Sequence, residues 1–327
     1  MDARTIGIVA NPASGKDVRR LVARASVFDN REKCAIIRRA LVGAVNAGAR
    51  SFAYLDDSHN IAGGAFKEIG KDCEVVVVPC LKTSSALDTI HGARNMREHQ
   101  PVANLILGGD GTSRAFVKGW RDAVLLPLST GTNNVFPVLA EATIAGSALG
   151  VLAADGVNKE EVVRSVKIID IEIEEEEGDI ALIDAVVTND QFIGSRALLN
   201  AGAIKKIFLT RAEPISVGMT SVGGLVDPLS EEEDAGLYLI LDNTGNINVT
   251  APIAPGLYDK LSIKSVERVK FNETIEFKGP CVLALDGERE REIQQDQKVK
   301  MRVGREGPGV LDVEKTMKLA ASRGFFT

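Results

Sequence analysis

The chain has 327 residues, which is long enough for two domains with hydrophobic cores of their own. Hydrophobic residues make up 45% of it and charged residues 26%, proportions that are typical of globular proteins. The net charge of −6 and the lack of a basic block exclude nucleic acid as the main partner, and they also exclude a polybasic membrane anchor.

Strand and helix signals alternate along the first half of the chain. Strands are predicted at Thr5–Ala10, Ser51–Leu55, 74–79, 104–107 and 123–128. Helices are predicted at 31–47 and 84–98, where apolar residues recur at helical spacing. The four consecutive valines within 74–79 indicate a strand that is buried on both faces. Strands separated by helices of this length predict a Rossmann-like parallel α/β sheet with helices on both faces.

Short strand signals separated by turn residues replace this pattern from residue 157 onward. They predict an antiparallel all-β domain, a sandwich or a partly closed barrel, with a helix inserted at 195–207. A last helix is predicted at 309–326 and is expected to pack on the first domain. The predicted division is an α/β nucleotide-binding domain at 1–156, an all-β substrate domain at 157–304 and a returning C-terminal segment at 305–327.

The cysteines and histidines do not form a metal-binding pattern. No Cys-x-x-Cys pair is present and the histidines lack metal-ligand spacing, which excludes a zinc site. Unpaired thiols are typical of a cytoplasmic protein. A strand that begins at Thr5 leaves no room for a signal peptide, so we expect a cytoplasmic location. The weakly charged stretch 135–154 contains Pro137 and Glu141, so no membrane span is expected.

A glycine-rich loop around one carboxylate is the strongest functional signal. Gly108, Gly109 and Gly111 bracket Asp110 directly after a predicted strand, and Thr112 follows. Glycine permits close approach of the backbone and positive φ, and N–H groups at a helix start bind phosphate. An acid inside such a loop indicates a group that holds a cation or takes a proton, which points to phosphoryl transfer. A glycine-rich turn capped by Asp110 is the alternative, and it leaves the three glycines unexplained.

Two further loops follow predicted strands of the same sheet. The first loop follows the first strand and is a candidate phosphate-binding loop, in which Asn11 is able to cap the turn, Ser14 and Gly15 to donate hydrogen bonds and Lys16 to pair with a phosphate. An ordinary strand-to-helix turn is the alternative. The second loop is rich in donors and consists of Thr130, Gly131, Thr132, Asn133 and Asn134. Because the carboxyl ends of neighbouring parallel strands lie side by side, this loop and the Asp110 loop are expected to share one crevice.

The motifs, taken in order, resemble those of the superfamily of NAD kinases, diacylglycerol kinases and sphingosine kinases. They are most similar to the ATP-NAD/AcoX kinases, whose second name comes from acetoin-catabolism gene clusters. The resemblance runs from Ile6 to Glu288 and includes the late Asp286-Gly287-Glu288 motif, which alone predicts only a hairpin turn. It implies an active site between an α/β domain and an all-β domain, with ATP as donor and Mg²⁺ as cofactor.

The resemblance also implies roles for individual residues. Asp110 is the implied catalytic acid residue, and Asp286 and Glu288 face it from the second domain, organising metal and water or accepting the proton. The Asn189-Asp190 pair looks like the pair that holds the dinucleotide in NAD kinases. The other implied binding residues are Asn11, Ser14, Gly15, Lys16, Gly108, Gly109, Gly111, Thr112, Thr130, Gly131, Thr132, Asn133 and Asn134.

Three functions remain open on the sequence. The leading one is an ATP-dependent kinase that phosphorylates a hydroxyl of a small molecule, with NAD as the first acceptor, giving NADP, in a setting of acetoin catabolism. Residues 216–221 replace a substrate-binding segment of NAD kinases, and the Thr130–Asn134 loop is nearer to the lipid kinases, so a lipid or sphingoid kinase is an alternative. A nucleotide-binding regulator without catalysis is the third. A homo-oligomer, a dimer or a tetramer, is expected.

Overall fold

The structure is a computed structural model that describes residues 4–14, 29–67, 72–130, 134–189 and 201–327, with the backbone alone at 201 and 288–290. Its strands are β1 (Thr5–Ala10), β2 (Ser51–Leu55), β3 (Glu74–Val78), β4 (Ala103–Gly108), β5 (Val124–Ser129), β6 (Val163–Ser165), β7 (Ile168–Ile173), β8 (Asp179–Ala181), β9 (Asp184–Thr188), β10 (Ile204–Leu209), β11 (Ala235–Leu241), β12 (Ile247–Ala254), β13 (Leu257–Lys270), β14 (Thr274–Lys278), β15 (Cys281–Leu285), β16 (Glu288–Ile293), β17 (Lys298–Gly304) and β18 (Gly309–Leu311). Its α-helices are α1 (Asn30–Asn46), α2 (Ile61–Phe66), α3 (Ala86–Glu98), α4 (Asp110–Gly119), α5 (Ala142–Ala153), α6 (Lys159–Val162), α7 (Met219–Gly224) and α8 (Val313–Ser322).

The first sheet is built around a parallel core. Its strand order is β3-β2-β1-β4-β5-β18-β6, and all its pairs are parallel except that of β18 with β6. The chain winds outward in one direction from β1 to β3 and then returns to place β4 on the other side of β1. The strand order therefore reverses between β1 and β4, and ligands of open α/β sheets bind at the carboxyl ends of the strands at such a point.

One face of this sheet is covered by α1 and α5, which touch through glycines. A Cβ atom on Gly146 of α5 would lie 1.8 Å from the carbonyl oxygen of Ala40, and one on Gly43 of α1 would lie 2.0 Å from that of Thr143. The absence of side chains lets the two backbones meet and bury the alanine-rich face of α5. Helix α8 packs on the same layer.

The rest of the chain folds into two antiparallel sheets. One has the order β12-β13-β11-β10-β9-β15-β16, and the other has the order β14-β17-β7-β8. Inward-facing residues of both sheets, among them Ile169, Phe208 and Leu283, form one core between them. A parallel α/β region followed by an antiparallel all-β region confirms the predicted fold class. Within the described part of the chain, no helix has the length and apolar character needed to cross a membrane.

Three local predictions were wrong. Strand β3 is not buried on both faces: it is the edge of the first sheet, and Val75, Val76 and Val77 are 40%, 40% and 52% exposed. The helix predicted at 195–207 is wrong in its second part, because Ala201–Ala203 is a short 3-10 turn and β10 follows; residues 195–200 lie outside the described part. The last helix is shorter than predicted, because 309–311 pair with β5 as β18 before α8 begins.

On this topology we keep the domain division at 1–156, 157–304 and 305–327 as a proposal. Strand β18 and helix α8 of the last segment lie with the first sheet. Strand β6 also pairs there, although it precedes the all-β sheets in the chain. It is the strand through which the chain leaves the first region.

Candidate functional site

Hydrogen bonds join the loops that follow β1, β4 and β5 at the carboxyl edge of the first sheet. The side-chain amide of Asn11, after β1, donates to Thr112 Oγ1 on α4 over 2.8 Å. The hydroxyl groups of Ser14 and Thr130 are hydrogen-bonded to each other at 3.0 Å. Because β1 and β5 both flank β4, these loops meet above the middle of the sheet, as their positions in the sequence predict.

Close contacts explain the two glycines at the end of β4. A Cβ atom on Gly108 would lie 2.5 Å from the side chain of Thr112, and one on Gly109 would lie 2.8 Å from Asn134 Oδ1. The φ of Gly109 is −105°, so the left-handed region is not what demands glycine there. The glycines are needed because they let the Thr112 and Asn134 side chains approach the backbone.

Asp110 is the first residue of α4, and its carboxylate reaches across to the next loop. It accepts a hydrogen bond from the N–H of Phe136 at 2.8 Å and from that of Val135 at 3.1 Å. The guanidinium of Arg211, from the all-β region, donates to the Val135 carbonyl oxygen over 2.9 Å. The N-cap of α4 is Gly109, which has no side chain, so the first turn of this helix lacks a side-chain cap.

The surroundings of Asp110 make it a weak acid. Burial raises its pKa from 3.8 to about 7, and the negative charge of Asp286 acts in the same direction. The N–H groups of Phe136 and Val135, and the charge of Arg211, lower the pKa but do not balance the burial. A carboxylate with a pKa near neutrality is able both to accept and to release a proton under physiological conditions.

Asp286 lies on the other side of this acid, in a tight turn. With φ of 48° at Asp286 and 78° at Gly287, the pair forms the turn between β15 and β16 that its Asp-Gly sequence predicts. The Asp286 carboxylate accepts three backbone N–H groups, those of Leu182 at 2.8 Å, Ile183 at 2.8 Å and Asp184 at 3.1 Å. Burial raises the pKa of Asp286, while Arg114 and these N–H groups lower it.

A cavity of about 360 Å³ opens next to these loops, between the ends of β1 and β2 and the starts of α3 and α4. Gly111 and Thr112 of the uncapped first turn of α4 line it, together with Asn11. Leu55 and Leu81 add apolar side chains to its lining. A cavity lined by both the uncapped first turn of a helix and apolar side chains suits a ligand with a phosphate and a flat ring.

Comparison with characterised sequences gives the family. The chain is 32% identical to acetoin catabolism protein X of Cupriavidus necator over 332 aligned positions, which cover 97% of this chain and 92% of that protein. The chain belongs to the acetoin catabolism protein X family. The family model of the acetoin catabolism protein X C-terminal domain matches residues 167–306, which are most of the two antiparallel sheets.

The fold of this family member is that of the NAD kinases. Yeast NADH kinase, solved in complex with NADH, superimposes with a TM-score of 0.54 over 99% of this chain and 88% of that chain. The sequence identity is 10%, so the likeness concerns the fold alone. It agrees with the resemblance to NAD kinases that the motifs indicate.

The structure brings most of the predicted binding residues of this acetoin catabolism protein X relative together. Those that meet in the joined loops are Asn11, Ser14, Gly108, Gly109, Gly111, Thr112, Thr130 and Asn134. Asn189 is exposed just after β9, and its N–H donates to the Ala203 carbonyl oxygen over 3.1 Å. Gly15, Lys16, Gly131, Thr132, Asn133 and Asp190 lie outside the described residues, as does the side chain of Glu288.

A lysine that no sequence motif singles out organises the first loop. Lys33 of α1 is fully buried, and its ammonium donates to the carbonyl oxygens of Asn11 at 2.8 Å, Pro12 at 3.2 Å and Ser14 at 2.6 Å. One cation therefore turns three carbonyls of the loop inward and fixes the positions from which Asn11 and Ser14 reach Thr112 and Thr130.

The described residues do not fit a magnesium ion held by the protein. Among them, no group of three or more histidine, cysteine, aspartate or glutamate residues is arranged to hold a metal. The carboxylates of Asp110 and Asp286 are both engaged by backbone N–H groups. No protein ligand for Mg²⁺ is assigned on this basis.

The raised pKa of Asp110 predicts a pH-dependent stability. Between pH 3.8 and about 7 the folded chain keeps a proton on Asp110 that the unfolded chain has lost, so the free energy of unfolding decreases as the pH rises through this window. At about 1.4 kcal/mol per pKa unit, the ionised Asp110 carboxylate lowers the free energy of unfolding by about 4 kcal/mol above neutrality. Asp110→Asn removes this ionisation, so its stability advantage should grow from about pH 5 to about pH 8 in urea unfolding. The exposed-site variant Asp122→Asn should show no such trend, and a constant advantage of Asp110→Asn would contradict the prediction.

Proposed function

We propose that the chain is an ATP-dependent kinase that transfers a phosphoryl group to a hydroxyl of a small molecule. The observation that carries the proposal is the position of Asp110. It is an acid with a pKa of about 7 at the start of a helix whose first turn is uncapped and opens on a cavity. Phosphoryl transfer needs positioning of the phosphates, neutralisation of their charge and a proton acceptor for the hydroxyl, and the N–H donors of the helix start and Asp110 are suited to the first and the last of these.

In this mechanism Asp110 accepts the proton of the acceptor hydroxyl. The hydroxyl oxygen forms a bond to the γ-phosphorus of ATP while the bond from that phosphorus to the bridging oxygen breaks, and ADP leaves. The N–H groups of Val135 and Phe136 hold the Asp110 carboxylate in place, and burial, together with the negative charge of Asp286, keeps its pKa high enough to take the proton. The ATP phosphates are proposed to bind at the joined loops around Asn11, Thr112 and Thr130, with the adenine in the cavity.

NAD is the proposed acceptor. The likeness in fold to a kinase solved with NADH supports a dinucleotide, and so does the Asn189-Asp190 pair. The name of the Cupriavidus necator relative links that protein to acetoin catabolism, and we propose the same metabolic setting here. A cytoplasmic location and a homo-oligomer, a dimer or a tetramer, belong to the same proposal.

An amphiphilic alcohol such as a lipid or sphingoid base is the second candidate acceptor. Two apolar side chains are almost fully exposed in the segments that follow Val135 and Arg211: Leu139 is 89% exposed and Ile215 is 92% exposed. Leu139 follows Val135 by four residues and Ile215 follows Arg211 by four residues, and Val135 and Arg211 are joined by a hydrogen bond. Exposed apolar side chains beside a site favour a substrate with an apolar chain.

An acceptor screen with purified chain tests the proposal. γ-Labelled ATP is offered with NAD, NADH, short hydroxy compounds, and diacylglycerol or sphingosine in detergent micelles, and label is followed into each acceptor. We expect NADP from NAD at a rate well above ATP hydrolysis without acceptor. If label appeared only in the lipids, the acceptor would be a lipid or sphingoid base and not NAD. If the chain bound ATP but transferred label to no acceptor, the proposed kinase function would be wrong, and a nucleotide-binding regulator without catalysis would be the remaining function.

A further inference from the structure

One side of α4 presents a line of charged residues to the all-β region. Asp110, Arg114 and Lys118 follow one another at intervals of four residues, so they lie on the same side of the helix. The Arg114 side chain is 2% exposed, and it donates to Asp179 Oδ1 over 3.1 Å. Its Nε lies 3.9 Å from Asp286 Oδ2. A single guanidinium on the helix of Asp110 thus contacts two carboxylates of the other region.

These two carboxylates hold both ends of one short segment. Asp179 is the first residue of β8, and Asp286 accepts the N–H groups of residues 182–184, which lead from β8 into β9. A group that contacts both carboxylates therefore fixes this segment relative to α4. Because Asp110 is the first residue of α4, it also fixes the segment relative to the proposed proton acceptor.

Burial makes the contact costly to break. The side chains of Asp179 and Asp286 are 1% and 0% exposed. Burial raises the pKa of Asp179, but Arg114 and then Lys118 outweigh it and hold that pKa below its usual value. A carboxylate removed from water depends on a paired cation and on hydrogen bonds, so loss of Arg114 leaves two buried carboxylates undercompensated.

We infer that Arg114 is a positioning residue, which holds Asp286 and the 182–184 segment at a fixed place relative to Asp110 and so aligns the two sides of the site for phosphoryl transfer. The catalytic part of this inference rests on the proposed function, whereas the alignment itself does not. Alignment matters because a displacement of about 1 Å lowers a rate by about 10²-fold. Arg114 itself is not among the residues that line the cavity.

Two measurements on the full chain test the inference. Arg114→Met is expected to lower kcat by about 10²-fold, with a change of less than about threefold in the KM for ATP. In hydrogen–deuterium exchange, the amides of residues 182–184 should exchange faster than in the unmodified chain while those of β4 and β5 keep their protection. Arg121→Met is the matched control: it breaks a two-bond pair to Asp170 of β7, of 2.7 and 3.0 Å, and should change neither result.

The double variant Arg114→Met with Asp179→Asn separates positioning from plain stability. It removes the pair together, so it should recover stability lost by Arg114→Met, but kcat should stay low and residues 182–184 should still exchange fast. Recovery of kcat along with stability would overturn the inference, and so would unchanged exchange at 182–184 in Arg114→Met. If the unmodified chain transfers no phosphoryl group, the proposed function fails, and the exchange result still decides the inference.

Discussion

Replacing Asp110 with asparagine is expected to lower the rate of phosphoryl transfer by about 10²–10⁴-fold, the usual contribution of a positioned proton acceptor. Asparagine has the shape of aspartate but cannot take the proton of the acceptor hydroxyl. Its Oδ1 is still able to accept the N–H groups of Val135 and Phe136, so the loop that holds the side chain keeps its partners. The measurement is kcat with NAD, or with whichever acceptor the screen identifies.

Binding of ATP provides the control for this variant. Asp110 is not among the residues that line the cavity, whereas Gly111 and Thr112 are. The dissociation constant for ATP, measured by calorimetry, should therefore change by less than about threefold in Asp110→Asn, which is below 1 kcal/mol. A variant that keeps more than half of its transfer rate would rule out Asp110 as the base. Loss of ATP binding would show that the carboxylate acts on the donor instead.

The order of secondary-structure signals was sufficient to predict the fold class. Apolar strands alternating with amphipathic helices have one common solution, a parallel sheet covered on both faces, and the later short strands have another, packed antiparallel sheets. The burial of β3 was predicted wrongly because its four valines have the composition of a central strand. Position in a sheet depends on strand order, and strand order is set by contacts between residues far apart in the chain.

The meeting of the loops was also predictable, and for a simple reason. Each motif follows a strand of one parallel sheet, so its position after the strand fixes the edge at which it lies. Asn11, Asp110 and Thr130 consequently lie on neighbouring loops. Their roles in catalysis and binding stay predictions, because the short distances between these residues do not show which of them reacts or binds a ligand.

The charged residues that hold the site together left no local signal. Lys33 directly follows two other charged residues, Arg31 and Glu32, in its helix, and its partners are backbone carbonyls about 20 residues earlier. Arg114 precedes its partner Asp179 by 65 positions, and Asp286 is farther still. The one usable hint was the spacing of Asp110, Arg114 and Lys118, which places them on one side of α4.

Lys33→Met is expected to lower the free energy of unfolding by about 3 kcal/mol or more, since a buried cation leaves and each buried carbonyl without a partner costs about 1–3 kcal/mol. Methionine fills a similar volume, so the effect reports the lost ammonium and not a cavity. The loop should also loosen at Asn11 and Ser14. The measurements are urea unfolding and calorimetry with ATP, ADP and AMP.

The comparison of nucleotides distinguishes a local from a global effect of Lys33→Met. If Lys33 shapes the site of the phosphates, affinity for ATP should fall by about 10-fold, equivalent to 1.4 kcal/mol, while affinity for AMP changes little. Arg31→Met is the matched control, because it removes a positive charge from the exposed side of the same helix two positions away and should alter neither stability nor binding. Equal losses for all three nucleotides would mean that Lys33 supports the fold without shaping the phosphate site. An unchanged free energy of unfolding would mean that water replaces the ammonium at the three carbonyls. The conformation of the loop would then be stabilised by the hydrogen bonds within its own turn and not by Lys33.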